Sequence, residues 1–339
     1  MPDIERHVYH LVGSPTSDFF FELSMIYARE IFLPPGWSQR FLMVYPDGNW
    51  SIGGTLETQE DSMAPNDLMT SLSQDYLMIP HMFCSAGMTL YRNFFEKILG
   101  FGLVGSTGDV LATAADKSKT KILAESIGIS VPKGGLVGER TEISPELPII
   151  VKPNGGDNSE GLTLVLHQQD IGKAIRNAAK FDKSILVEEF IPGRELRVAV
   201  LELDNELYVP PIIEYAVDED RPIRDVQDKL ALDSDGIPRS QAQKTKIGFI
   251  CPAVLDDNLA AKVKDAAKKM HRVLGARDYS LFDFRVDART GEVVFLEAGL
   301  YWSFSKASMI SKMLIAGGDP VTEFVDRIWT KASTERLHL

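Results

Sequence analysis

Apolar residues crowd and alternate from His7 to Val12, the pattern of a buried strand. The turn Gly13-Ser14-Pro15-Thr16-Ser17-Asp18 follows with helix-cap chemistry, and Phe19 to Ile31 then repeats apolar positions at helical spacing. The rhythm returns with a strand at Phe41 to Tyr45, a helix at Asn66 to Ser73, a strand at Tyr76 to Ile79 and an amphipathic helix at Thr89 to Leu99. Strands alternating with helices predict a mostly parallel sheet covered on both faces. This α/β domain is expected over residues 1–111, with its boundary near Leu111.

A different texture follows. Asp116 to Ile127 reads as a helix rich in Lys and Ala, ended by Gly128. Leu147 to Lys152 is a short apolar strand, Pro153 to Gly161 a glycine-rich loop, and Leu162 to Leu166 the returning strand of a hairpin. A helix at Asp170 to Phe181 and a strand at Ser184 to Glu188 complete an α+β unit over residues 112–191. A second α+β unit is expected over 192–339. It begins with strand-like sequence from Pro192 to Tyr215. Residues 216–246 are polar and turn-rich, and a loop of that length inside a compact domain reads as a lid or a disordered excursion. Asn258 to Leu274 is an amphipathic helix, Tyr279 to Asp287 and Glu292 to Glu297 form a hairpin, and helices begin at Ala307 and Pro320.

Composition narrows the partners. The 339 residues, 44% hydrophobic and 25% charged, suit two or three packed subdomains. A net charge of -12 argues against nucleic acid as a partner but leaves room for a nucleotide held by local lysines and glycines. The two cysteines, Cys84 and Cys251, form no disulfide framework or metal pattern, which fits a cytoplasmic location. Met1 to His10 has no signal-peptide core, and no apolar stretch spans a bilayer, so a soluble protein with no membrane partner is expected.

Three segments can carry chemistry. Lys152 ends a buried strand before a glycine-rich hairpin tip containing Asn158 and Ser159; backbone N–H groups and an ammonium there can cover a polyphosphate, although ordinary hairpins share the pattern. Ile185 to Ile191 ends an apolar strand in Glu188 and Glu189, with Glu195 shortly after; this can serve adenine and ribose, or be a plain solvated strand end. Asp283 and Glu297 each sit on one strand of the late hairpin, where two carboxylates can share Mg²⁺ with nucleotide phosphates. Asp283 and Arg285 share a strand face. No Walker-type loop, GxSxG or HExxH competes, and of the six scattered histidines only His81 follows a strand end suggestively.

The order of these elements resembles the ATP-grasp fold, and within it the D-alanine–D-alanine ligase branch over nearly the whole chain. Ile149-Ile150-Val151-Lys152-Pro153, Gly105-Ser106 with Asp116-Lys117, and Phe295-Leu296-Glu297-Ala298 carry the likeness. His10 to Ser14, His81 to Cys84, Tyr279 to Arg285 and Phe295 to Tyr301 look like the cyanobacterial-type ligases that make mycosporine-like amino acids. The resemblance implies three subdomains: an N-terminal parallel-sheet domain and two α+β subdomains that sandwich ATP. It implies condensation of threonine or serine with mycosporine-glycine, or, alternatively, amide formation between amino acids. A homodimer is common in the resembled branch. Carried over, Lys117 and Lys152 hold phosphates, Asn158 and Ser159 close over them, and Glu188, Glu189 and Ile191 meet adenine. Glu195 meets ribose, Lys229 is the lid lysine, and Asp283 and Glu297 bind Mg²⁺. Asp18, His81, Tyr301 and Ser308 stand at the substrate. Two positions depart from the amide-forming pattern: Gly299 stands where those ligases carry Asn, and Leu281 where they carry Arg. Arg285 is the expected stand-in for the missing arginine.

Overall fold

The structure is a computed structural model that describes residues 6–138, 146–156, 158–204, 206–241 and 247–336. Its first sheet has the order β3-β2-β1-β4, from β1 (Arg6–Gly13), β2 (Trp37–Val44), β3 (Trp50–Gly53) and β4 (Tyr76–Pro80). β1 runs parallel to β2 and β4, as the alternation of strands and helices predicts; β3 is an antiparallel edge strand too short to read from its pattern. Helix α1 (Asp18–Ala28) starts where Ser17 accepts a hydrogen bond from the Phe20 amide. Helix α2 (Pro65–Met69) follows β3. The helix expected over Thr89 to Leu99 consists largely of wider π-type turns, Gly87–Tyr91 and Phe94–Ile98. Leu111 lies buried within helix α3 (Gly108–Ala115), so the expected boundary falls inside an element and not in a linker.

Helix α4 (Lys117–Ser126) is capped by Asp116. A four-stranded antiparallel sheet follows in the order β5-β8-β6-β7, from β5 (Gly134–Leu136), β6 (Ile149–Pro153), β7 (Thr163–Val165) and β8 (Ile185–Glu189). Helix α5 (Ile171–Ala178) packs on it through Ala174 and Ala178. The glycine-rich run is therefore the tip of the β6–β7 hairpin; Asp157 in it lies outside the described residues.

The third sheet positions the site. It joins β9 (Gly193–Leu203), β10 (Glu206–Tyr208), β11 (Ile213–Tyr215), β14 (Phe249–Ile250), β15 (Tyr279–Asp287) and β16 (Val293–Gly299). Between β11 and β14 the expected lid is not structureless: β12 (Leu230–Leu232) and β13 (Pro238–Gln241) pair as a hairpin that packs against α1, while residues 242–246 lie outside the described ones. Strand side chains alternate between faces. On one face Leu196, Val198, Val200, Phe282 and Phe284 join Val263, Ala267 and Met270 of helix α6 (Asp257–Val273) in a core. The other face points into the cleft. Helices α7 (Met309–Gly317) and α8 (Val321–Arg336) close the chain, and the Trp329 indole of α8 packs in the core shared with the first domain.

Candidate active site

Antiparallel register stacks the cleft face of the third sheet into three successive rows. Glu195 of β9 lies opposite Arg285 of β15 in the first. Arg197 lies opposite Asp283, and Asp283 opposite Glu297 of β16, in the second. Ala199, Leu281 and Gly299 form the third. An open cleft of about 1100 Å³ covers the second and third rows. A neighbouring cavity of about 590 Å³ covers the first and shares Arg224, Lys229, Asp283 and Glu297 with it.

The first row is closed by the lid. Arg224 donates from Nε to Glu195 at 2.6 Å, and Arg285 donates to the other Glu195 oxygen at 2.9 Å. Burial pushes the Glu195 pKa up, but the two guanidiniums outweigh it and hold the group at about 2. Arg285 also donates to the carbonyls of Ile191 and Pro222. The expected substitute for the missing arginine is thus committed to the first row, where its donors tie β15 to the lid, and it does not reach the third. Ser159, Glu188, Glu189 and Ile191 line the same cavity. Glu188, expected at adenine, lines this cavity and is also the buried counter-ion of Lys152 at 2.6 Å and of Lys121 at 3.0 Å. Burial raises its pKa, yet the two ammoniums leave it below the usual carboxylate range. Lys121 is one helical turn beyond Lys117 on α4; burial lowers its ammonium to about 8 despite Glu188.

The second row carries the expected metal carboxylates. Arg197 holds both oxygens of Asp283 at 2.6 Å, and Arg224 stands 3.5 Å away. Glu297 keeps 30% of its side chain accessible and lies 3.9 Å from the Lys117 ammonium. Burial acts to raise its pKa, but Lys117, Lys229, Lys152 and Arg197 more than offset this and hold it well below the ordinary range. Among the described residues no three His, Cys, Asp or Glu side chains gather into a metal cage. Two carboxylates in register fit a cation that takes its remaining ligands from phosphate, with Glu297 the more available of the two.

The hairpin tip is tied to this row. Asn154 donates to Asp116 and accepts from the Ser118 amide, both at 2.8 Å, and Lys117 donates to the Gly156 carbonyl. Left-handed backbone at Asn158 and Ser159 (φ 54° and 62°) turns the tip so that Asn158 lines the large cleft and Ser159 the smaller cavity. Lys117, Lys229, Tyr301 and Lys312 also line the large cleft.

Three expected substrate residues stand apart. Asp18 is exposed at the start of α1 and lines neither cavity. His81 is fully buried against His10 at 2.9 Å, with its pKa pushed well below the usual value by burial and by His10 and Arg92. Ser308 is fully buried at the N-cap of α7, next to Met309, which does line the cleft. Sequence reasoning missed Arg197 and Arg224. The first was findable, since it is two residues after Glu195 on one strand and must share its face.

Comparison with known proteins settles the family. A family model described as D-ala D-ala ligase C-terminus matches residues 137–330. A D-alanine–D-alanine ligase of Chlorobium luteolum is 30% identical over 328 residues, covering 85% of this chain and 86% of the relative. The chain belongs to the D-alanine–D-alanine ligase family. Within the family, a putative D-alanine–D-lactate ligase of Streptomyces coelicolor is 27% identical over 249 residues, covering 71% of this chain and 67% of its own. Among solved structures, the VanG D-Ala:D-Ser ligase from Enterococcus faecalis aligns with a TM-score of 0.73 at 20% identity, over 97% of this chain and 99% of that one. The D-alanine–D-alanine ligase from Coxiella burnetii gives 0.75 at 17%, over 98% and 95%. At such identities the structural likeness speaks to the fold, which is ATP-grasp. Family membership makes the protein an ATP-grasp ligase that forms C–N bonds.

Proposed function

We propose that the protein phosphorylates an oxygen of one substrate and replaces it with the amine of an amino acid, using ATP and Mg²⁺, and that amide formation between amino acids is the reaction. The observation that carries this is the order of rows: a lid-closed carboxylate at Glu195, a cation-and-carboxylate row at Arg197, Asp283 and Glu297, and then an open apolar floor. A nucleoside, a triphosphate and an acceptor substrate fit that sequence in turn. Ile191 and Glu189 line the adenine end and Glu195 meets ribose. Lys117 and Lys152 set positive charge along the phosphates, and Asn158 and Ser159 cover them. Asp283 and Glu297 hold Mg²⁺, which supplies charge neutralisation when bound. The protein's own contribution is positioning and a field preorganised for the transferred phosphoryl group. Lys229 and the β12–β13 hairpin keep water from the activated intermediate. The amine then attacks the activated carbon, the C–N bond forms and phosphate leaves with the oxygen.

A second reading is favoured by one specific observation. Leu281 and Gly299 make the third row apolar, and Tyr301 and Trp302 stack beside it with ring centres 5.7 Å apart. A flat conjugated ketone such as mycosporine-glycine suits that floor, and condensation with threonine or serine would then give an imine. The relatives favour the amide reading. ADP release separates the two: amino acids alone support it under the amide reading, whereas the imine reading requires mycosporine-glycine and shifts its ultraviolet band to longer wavelength. ADP release with neither substrate set sinks both.

A further inference from the structure

Beside the third row stands a side-chain hydrogen-bond donor that is unpaired among the described residues. The indole nitrogen of Trp302 is buried and makes no hydrogen bond, although the residue lines the large cleft and is 8% exposed. Its position is defined by Gly299. A β-carbon added to Gly299 would lie 2.8 Å from the indole nitrogen and 3.6 Å from the Tyr301 hydroxyl. The indole edge therefore occupies the space above the Gly299 α-carbon, and any side chain at 299 would displace it. Gly299 and Trp302 both line the same cleft, so the buried indole nitrogen borders it. The neighbours in that row, Ala199 and Leu281, bring no side-chain acceptor. A buried donor left unmade is costly; Trp329 carries one too, but it lies in the closed core, whereas Trp302 borders the cleft where a ligand can supply the partner.

Two further features set the kind of partner. The Arg197 guanidinium lies 5.6 Å from the Trp302 ring centre, and a cation over the ring draws electron density from it, which makes the N–H a better donor. Lys117 and Lys312 line the same cleft, so its potential favours an oxygen with partial or full negative charge. We propose that the Trp302 N–H above Gly299 is an acceptor-oxygen subsite that binds a carbonyl or carboxylate oxygen of the non-nucleotide substrate. The subsite rests on the ligase reading for its placement next to the phosphates. It explains why glycine and not a larger residue follows the strand's carboxylate: the indole, supplied from the next turn of chain, takes over the donor position.

The test uses the full chain with Mg²⁺ and a non-hydrolysable ATP analogue, and reads the four indole N–H signals by ¹⁵N NMR. Trp302→Phe, which keeps an aromatic ring and removes the donor, assigns the signal. D-alanine and mycosporine-glycine are added separately. The expected result is that the assigned proton moves downfield with one of them: D-alanine identifies a carboxylate oxygen, mycosporine-glycine a ring carbonyl. A signal unmoved by either overturns the subsite. With ATP in place of the analogue, Trp302→Phe and Gly299→Ala should each raise the KM for that substrate about tenfold with kcat within about twofold, the loss of one hydrogen bond. Two variants guard against a folding defect in one, and an unchanged KM in both overturns the proposal. ADP formation by the unaltered protein reports on the ligase reading separately. ADP without an indole shift removes the subsite and leaves that reading; a shift without ADP keeps the subsite and removes the reading.

Discussion

At one end of the cleft, two successive cross-strand rows are filled with full charges: Glu195 with Arg285, then Arg197 with Asp283 and Glu297. One row further, the same three strands offer Ala199, Leu281 and Gly299, roofed by Trp302 and Tyr301. The β15–β16 ladder has an irregularity at Asp283 and Phe284, within the charged end, but runs in plain register from Asp283 and Glu297 to Leu281 and Gly299, so the contrast between those two rows lies in side chains. The charged end fits a ligand of fixed and highly charged chemistry, and its groups are held by one another before any ligand arrives. The apolar end is shaped by what is missing, a β-carbon at 299 and a charge at 281. On the proposed reading, the first region takes the nucleotide and the second sets the choice of substrate.

The contrast can be broken most severely at the charged end. Asp283→Ala leaves the Arg197 guanidinium buried without its partner, and breaking such a pair costs about 3–5 kcal/mol. Chemical denaturation should show that loss, and turnover should fall with it. Lys152→Met removes a charge proposed for the phosphates but leaves Glu188 its second partner, Lys121. Turnover should drop roughly 100- to 1,000-fold, the scale of losing one preorganised charge, with a smaller effect on stability. Acid sharpens the same point. Glu195 ionises at about 2 in the fold against an ordinary value of 4.5, so its stabilisation is complete above the higher value and is lost as pH falls through the window towards 2. The loss amounts to about 3 kcal/mol, and Glu195→Gln should flatten the stability profile over that range. At the apolar end, Leu281 is buried, so the informative change is the volume-conserving Leu281→Met, which should cost under about 1.5 kcal/mol and change the preference among second substrates without altering ATP affinity; a matched loss of ATP affinity would dissolve the distinction between the two regions. The smallest effect is expected at Asp18, which is exposed and away from the cleft: Asp18→Ala should leave steady-state turnover within about twofold.

The distinction was partly legible in the sequence. The β9 run Glu195-Leu196-Arg197-Val198 alternates polar with apolar, so its cleft face and its core face can be separated by period there. The hairpin bearing Asp283 and Glu297 was readable for the same reason, and its register brings the two into line. What was not readable depends on contacts between segments far apart in the chain. Glu188 reads as a strand-end acid until β8 is placed beside β6 and α4, where it becomes the counter-ion of two lysines. Arg224 sits in a polar loop with no periodic signal and acquires its role when the lid folds onto Glu195. The lid hairpin itself has strands of three and four residues, too short for alternation to distinguish them from loop. His81 follows a strand end, the usual place for a site residue in an α/β domain, but α8 covers that end and the histidine is sealed in against His10, itself close to Trp329.

In the proposed reaction an oxygen is phosphorylated and then displaced by an amine. The most direct measurement follows that oxygen. D-alanine labelled with ¹⁸O in its carboxyl group, and separately mycosporine-glycine labelled at its ring ketone, would be turned over with ATP, Mg²⁺ and an amino-acid pool, and the phosphate released would be analysed by mass. One ¹⁸O atom is expected in the phosphate per C–N bond formed, from whichever substrate is activated. Phosphate released without label while product accumulates would contradict it, because the oxygen would then have left by a route that never passed through a phosphorylated substrate.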